Sequence, residues 1–175
     1  MQSIQWKNLD VVGCSRYSVS TNGDVRHLSS GRPKNPSTNQ YGVKYVGLTT
    51  DSGRQRSFPV ASLVAYAFIE ADPEHPERDT IIYKDGDKSN CSVENLAYRT
   101  RSYAIRYNKY LSESVTPQDT EHYRIESEEP EGGSKVFYNV LDCAMEYGIL
   151  PEDIKRSIYL EIPLRIMDGI QFYEL

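Results

Sequence analysis

The stretch "TIIYKDGDKSNCSVENL", residues 80–96, constrains the fold more than any other part of the chain. Its opening "TIIYK" is a short β-branched run and reads as a strand. "DGDKSN" is a turn whose tight corner is Asp85-Gly86. In the residues that follow, "SVENLAYRTRSYAIRYNKY", Ser92 stands three positions before Asn95. That is the spacing of a capping box, although Glu or Gln would be the better partner. It predicts a helix over about Val93–Tyr107.

The flanking segments extend this frame. "WKNLDVVGCSRYSVSTNGDVRHLSSGR" contains short alternating runs split by "TNGD", and Asn22-Gly23 is a two-residue hairpin signal. A second pair follows as "YGVKYVGLTT", "DSG" and "RQRSFPV"; Val43, Tyr45 and Gly47 alternate with Gly42, Lys44 and Val46. Together these segments predict one small antiparallel sheet of about four strands. In "VASLVAYAFIEA", Leu63, Val64, Ala67 and Phe68 fall on one helical face, and "DPEHPERD" ends that helix. Residues 111–134 are acidic, polar and Pro/Gly-containing, which reads as a linker with a short strand at "HYRIES". Order resumes with a strand at "KVFYNV", a helix carrying Leu141, Ala144, Met145 and Ile149, and a second helix with Pro151 in its first turn. "GIQFYEL" closes as a strand, so the last segment reads as a helix-turn-helix set in a small sheet.

The bulk numbers narrow the class. A chain of 175 residues suffices for one domain, or for one domain and a smaller module. No run of about 18 apolar residues is present, so no membrane helix is expected. "MQSIQWKNLD" lacks the basic-then-apolar pattern of a signal peptide. Cys14, Cys91 and Cys143 lie far apart, which argues against a zinc site and against a disulfide framework. A reducing, cytoplasmic setting fits. The net charge of -5 hides an asymmetry. Residues 1–110 hold 15 Lys+Arg against 11 Asp+Glu, a balance of +4, whereas residues 111–175 hold 5 against 14, a balance of -9. Such bipolarity bears on partners rather than on fold.

The order of parts resembles a known family. "WKNLDVVGCSRYSVSTNGDVRHL" is similar to the nuclease-associated modular DNA-binding motif at the front of phage and intron-encoded HNH homing endonucleases: Trp6, Leu9, Tyr17, Val19, Ser20, Gly23, Val25 and Arg26 match its pattern. "YGVKYVGL" resembles the G-Y-x-x-V-x-L strand that follows in that family, and "VASLVAYAFI" its V-H-R-L-V-A-x-A-F-I helix. "IIYKDGDKSNCSVENLAYRTRSYAIRYN" resembles its V-N-H-I-D-G-x-K-x-N-N-x-x-x-N-L-x-W-x-T-x-x-E-N segment. The likeness runs in order over about residues 4–109, and the final segment is similar, more loosely, to the family's terminal helix-turn-helix module. It implies an α+β fold: a small antiparallel sheet and a ββα core within residues 1–110 (the β motif over 1–58, the core over 59–110), an acidic linker over 111–134, and a strand-flanked helix-turn-helix module over 135–175. It also implies a phage-encoded protein.

An HNH site cuts DNA with one divalent metal and one histidine base, because imidazole titrates near neutral pH while the metal stabilises charge on phosphate. By the resemblance, the base falls on Tyr83 and the metal ligand before it on Ile82. The second ligand falls on Ala104, and the orienting asparagine is retained as Asn95. The family's extra His and Arg fall on Ala61 and Ser62. Isoleucine and alanine offer no donor oxygen, and a phenol with an ordinary pKa near 10 is a poor base. The expectation is a degenerate site with no catalytic residue, no metal and no cofactor, its retained residues serving the scaffold.

Other chemistry is sparse. His27, His75 and His122 lie in polar turns or the linker without partners at ligand spacing. Glu126, Glu128, Glu129 and Glu131 lack the spacing of a calcium loop. Binding is what remains. Lys34, Lys44, Arg54, Arg56, Arg99, Arg101 and Arg106 lie in the nuclease-like part, and Arg99, Arg101 and Arg106 are expected on the helix after Asn95. Lys155 and Arg156 lie on the second helix of the last segment, where, with Arg165, they are balanced in number by Glu152, Asp153 and Glu161. DNA is the first expected partner, through phosphate contacts. The alternatives are a host or phage protein bound through the acidic last segment and a structural, virion-associated role.

Overall fold

The computed structural model of the chain describes residues 3–113, 124–129, 132–162, 164 and 170–174. The chain divides into two compact units, Met1–Ala104 and Ile105–Leu175. Its class is α+β, as expected, with small antiparallel sheets and, among the described residues, four α-helices.

The first unit begins with β1 (Trp6–Leu9), β2 (Cys14–Ser20), β3 (Val25–His27) and β4 (Pro33–Lys34), which form an antiparallel sheet in that order. A second sheet holds β5 (Ser37–Thr38), β6 (Lys44–Thr49) and β7 (Gln55–Pro59), again in chain order. The single sheet of about four strands is therefore two sheets, of four and three strands. Alternation within a run locates strands, but it says nothing about which runs pair.

Three hairpin loops in this unit share one construction. Each starts at a residue whose side-chain oxygen accepts backbone N–H groups inside the loop, and each has a glycine three positions later. Ser20 Oγ takes the N–H of Asn22 and Asp24 at 3.2 and 3.0 Å. Asn39 Oδ1 takes those of Tyr41 and Val43 at 2.9 and 3.0 Å, and Thr50 Oγ1 takes that of Arg54 at 3.2 Å. The glycines, Gly23, Gly42 and Gly53, have φ of 87°, 82° and 82°, a region that L side chains avoid. The Asn22-Gly23 hairpin is thus a three-residue loop, Thr21–Gly23, closed by Ser20 N–H to the Asp24 carbonyl at 2.8 Å.

The first helix, α1 (Val60–Phe68), buries Val60, Ala61, Leu63, Val64 and Ala65. It joins Leu9, Tyr17 and Val19 of the first sheet, Val46 and Leu48 of the second, and Cys91 and Leu96 further along in one core. Gly23 fits this core closely: a Cβ there would lie 2.9 Å from the Cys91 Cβ.

Next comes the hairpin of β8 (Thr80–Tyr83) and β9 (Leu96–Arg99), paired antiparallel from Thr80↔Arg99 to Tyr83↔Leu96. It is followed by α2 (Arg101–Glu113), which completes a ββα unit. The helix expected over Val93–Tyr107 starts later. Val93–Asn95 is a single 3-10 turn, and Leu96–Arg99 is strand. Ser92 caps nothing; its Oγ donates to Asn90 Oδ1 at 2.9 Å. The cap is Thr100, whose Oγ1 accepts the Tyr103 N–H at 3.2 Å and whose carbonyl accepts that of Ala104 at 3.0 Å. Pairing with β8 overrides the local helical signal.

The second unit has a three-stranded antiparallel sheet in the order β11 (Gly133–Phe137), β10 (Ile125–Glu129), β12 (Gln171–Glu174). Its central strand, β10, comes from the acidic stretch 111–134. Between β11 and β12 lie α3 (Val140–Tyr147) and α4 (Pro151–Leu160). Asn139 caps α3 by accepting the Asp142 N–H at 2.7 Å, Gly148 ends it at φ 66°, and Pro151 opens α4. Val140, Cys143, Ala144, Ile154, Ile125 and Phe172 form the core. Among the described residues no helix is long and apolar enough to cross a membrane.

Candidate nucleic-acid interface

The ββα unit carries Ile82, Tyr83 and Asn95, and α2 carries Ala104, the positions at which the resemblance led chemistry to be expected. Successive side chains of β8 point to opposite faces. Ile81 and Tyr83 pack against the core shared with α1, and Ile82, on the other face, is 1% exposed. Ala104 is also buried. The three positions therefore present two enclosed hydrocarbon side chains and one half-buried phenol. Burial, with smaller contributions from Cys91 and Tyr45, pushes the Tyr83 phenol up to about 12. It stays protonated at neutral pH and cannot accept a proton from water. Ala61 is buried in the core and Ser62 is half-buried on α1.

Asn95 is 7% exposed and braces the loop. Its Oδ1 accepts the Asp85 N–H at 2.9 Å, and its Nδ2 donates to Asp85 Oδ1 and to the Asn90 carbonyl, both at 2.9 Å. The carboxylates of the loop are engaged in the same way. Asp85 Oδ1 also accepts the Asp87 N–H at 2.8 Å, and Asp85 Oδ2 accepts Asn90 Nδ2 at 2.8 Å. Asp87 takes the N–H and the hydroxyl of Ser89 at 2.8 and 2.9 Å. These bonds from Ser89, and then Lys44, hold the Asp87 carboxyl below its usual range. Among the described residues no group of three His, Cys, Asp or Glu side chains is placed to hold a metal ion.

The basic candidates fall into separate sets. Lys34 on β4 lies 5.9 Å from the Tyr17 ring centroid, and Arg56 on β7 lies 5.8 Å from that of Phe58. Arg16, which sequence reasoning passed over, acts electrostatically with Lys34 on Tyr17 and with Arg56 on Cys14. Burial is the larger influence on Cys14 and raises its thiol. Arg54 is exposed in the β6–β7 loop, and Lys44 opens β6 and acts electrostatically on Asp87. The expectation that Arg99, Arg101 and Arg106 share a helix is corrected. Arg99 ends β9, its Nη1 donating to the Tyr98 carbonyl at 2.8 Å, and only Arg101 and Arg106 lie on α2. Five residues apart, those two point about 140° away from each other around the axis. In the second unit Arg156 is exposed and Lys155 half-buried on α4. Glu152, Arg156 and Tyr159 form its outward stripe, opposite the buried Pro151, Ile154 and Ser157. Arg165, His122 and Glu131 lie outside the described residues, as does the side chain of Glu129.

The front motif also acquires a physical meaning. Tyr17, Val19, Val25 and Leu9 point into the core. On the other face, the Arg26 guanidinium lies 3.8 Å from the Trp6 ring centroid and its Nε donates to the buried Ser18 at 3.2 Å. His27 meets Tyr17 edge-on, with ring centroids 5.2 Å apart, and its Nδ1 is 3.1 Å from Ser29 Oγ. His75 Nδ1 is 3.3 Å from Glu77. A cleft of about 430 Å³ in the same unit is lined by Lys7, Tyr66, Phe68, Glu70, Arg78 and Tyr98, among others. Its cations are engaged locally, Lys7 with the Phe68 ring and Arg78 with Asp72.

With this geometry established, the chain can be set beside known proteins. No protein-family profile matches it, and no curated protein does. It is similar to a solved structure described as DNA binding and cleavage by the HNH homing endonuclease I-HmuI. The TM-score is 0.52, the identity 22%, and the match covers 98% of each chain. The fold is HNH-like. In this HNH-like frame Asn95 braces the loop between β8 and β9, Ile82 and Ala104 are buried, and Tyr83 is half-buried.

Proposed function

We propose that the chain is a DNA-binding protein on an HNH-nuclease fold that does not cleave DNA. The observation that carries the loss of cleavage is the state of three positions together: Ile82 and Ala104 are buried hydrocarbons, and the Tyr83 phenol is pushed up to about 12. A single missing residue leaves a repairable site. The loss of base and both ligands leaves neither a proton acceptor nor a Lewis acid. Binding needs less, since Lys and Arg suffice for phosphate contact. The similar protein I-HmuI is described as binding and cleaving DNA, and Lys34, Lys44, Arg54, Arg56, Arg99 and Arg101 supply cations on the first unit. On the resemblance alone, we extend the proposal to a phage-encoded protein acting in the cytoplasm of an infected bacterium.

The test has two arms. Labelled duplex DNA should be retarded at low salt and released as salt rises. Supercoiled plasmid should remain intact with Mg²⁺ or Mn²⁺. Absence of any shift at low salt would sink the binding half. Metal-dependent nicking that Tyr83→Phe reduces would overturn the loss of cleavage.

One observation favours a second reading, a basic protein partner. The face of the second unit's sheet that points away from its core carries Glu126 and Glu128, with Val136 and Tyr173 opposite Glu126 in the register. The Tyr173 hydroxyl donates to Glu128 at 3.2 Å. A partner retained from nuclease-treated host lysate, and lost on Glu126→Lys with Glu128→Lys, would favour this reading.

A further inference from the structure

We infer that Tyr41, Lys44 and Lys88 form a contact for single-stranded DNA, in which the Tyr41 ring stacks on an unpaired base and the two ammonium groups hold flanking phosphates. This rests on the DNA-binding reading and gives it a substrate form.

The first observation is an internal comparison. The three hairpin loops that begin at Ser20, Asn39 and Thr50 share their hydrogen bonds and their left-handed glycine. At the second position after the capping residue, two of them carry small polar residues, Asn22 and Ser52. The third carries Tyr41. The loop geometry therefore does not require an aromatic ring, and neither does the core, since Tyr41 is 68% exposed.

The second observation is rigidity. Asn39 Oδ1 holds the Tyr41 N–H at 2.9 Å, and the Gly42 N–H returns to the Asn39 carbonyl at 3.0 Å. A ring on a pinned backbone loses little freedom when it binds. Tyrosine suits such a role because it offers a large flat surface with only two side-chain torsions.

The third is the neighbourhood. A Cβ on Gly42 would lie 3.9 Å from the Lys88 Cβ, so the Tyr41 loop abuts the "DGDKSN" turn. Lys44, three residues after Tyr41, acts electrostatically on Asp87 in that turn. Asp85 and Asp87 are the local acids, and their oxygens are occupied by loop donors. An aromatic platform flanked by cations is what a sequence-tolerant single-strand contact needs.

The test is fluorescence anisotropy with a labelled single-stranded oligonucleotide and its blunt duplex, across a salt series, on the full chain. Wild type should bind the single strand. Tyr41→Ala should weaken that binding by about 5- to 150-fold, the range of one base–aromatic stack. Tyr41→Phe should stay within about twofold of wild type, because the ring and not the hydroxyl makes the contact. Lys44→Ala with Lys88→Ala should lower the salt slope by about 1.4, at about 0.7 per phosphate on a single strand. Matching urea midpoints certify that the variants fold. Binding to duplex but not to single strand, or single-strand binding unmoved by Tyr41→Ala, overturns this inference and leaves the proposed function standing. Binding to neither overturns both.

Discussion

Asn95 holds Asp85 from both sides: its carbonyl oxygen takes the Asp85 N–H, and its amide nitrogen reaches the Asp85 carboxylate, each at 2.9 Å. A third bond ties it to the Asn90 carbonyl at 2.9 Å. The residue that most invites a catalytic reading is thus spent on closing the loop between β8 and β9.

Asn95→Ala should therefore act on stability. It leaves a backbone N–H, a carboxylate and a carbonyl short of a partner, which predicts a loss of about 2–4 kcal/mol by urea denaturation. Asn95→Asp should also destabilise, and more at pH 7 than at pH 4, because a second carboxylate would face Asp85.

Two glycine substitutions separate strain from crowding. Gly23 and Gly53 both have positive φ, at 87° and 82°. A Cβ on Gly53 meets nothing within 4 Å, whereas one on Gly23 meets the Cys91 Cβ at 2.9 Å. Gly53→Ala should cost about 1–2 kcal/mol from backbone strain alone. Gly23→Ala should cost about 1–3 kcal/mol more, the range for overpacking a core. Chemical denaturation of the two variants side by side reads the difference.

Tyr83 has a pH signature. Its folded pKa, about 12, is raised above the ordinary value of 10.0. The folded state then holds the phenolic proton where the unfolded chain releases it. The stabilisation is complete below about pH 10 and is lost as pH rises toward 12. Wild type should lose stability across that window more steeply than Tyr83→Phe, as followed by urea midpoints at each pH.

Arg26→Ala should destabilise the first sheet by about 1 kcal/mol, the scale of one cation–π contact with partial burial. Trp6 is the sole tryptophan, so its emission reports the change directly. Removing the guanidinium that covers it should shift the emission to longer wavelength in the folded state.

A carboxylate at position 82 should not confer cleavage. Ile82→Asp puts a carboxylate where the side chain is 1% exposed. An unpaired buried charge predicts a loss of about 3 kcal/mol or more, and no gain in nicking. Thermal denaturation and a plasmid assay check the two parts.

Much of this was legible in the residues. α1, β8, α3 and α4 lie where apolar spacing and punctuation put them, because burial of one face imposes its period on the sequence. The three hairpin loops were legible too, as "STNG", "NQYG" and "TDSG", since the capping oxygen and the glycine are local requirements. Asn22-Gly23 and "DSG" mark two of them directly, whereas "NQYG" stands out only when the side-chain oxygen three positions before the glycine counts as part of the signal. The Val93–Tyr107 helix was misplaced for the opposite reason: whether Leu96–Arg99 coils or pairs depends on β8, which lies outside the window that a local pattern can see.

The sequence alone determined the class of elements and the loop chemistry, because both are set by local residue identity, and it placed Ile82, Tyr83 and Ala104 where the proposed loss of cleavage rests. Tertiary structure decided what those residues do instead. It encloses Ile82 and Ala104, raises the Tyr83 phenol by burial and spends all of Asn95 on the loop. It also separates the arginines expected on one helix and brings Gly42, next to Tyr41, against Lys88. Each of these depends on distances between segments remote in the chain, and proximity of that kind arises only when the core closes.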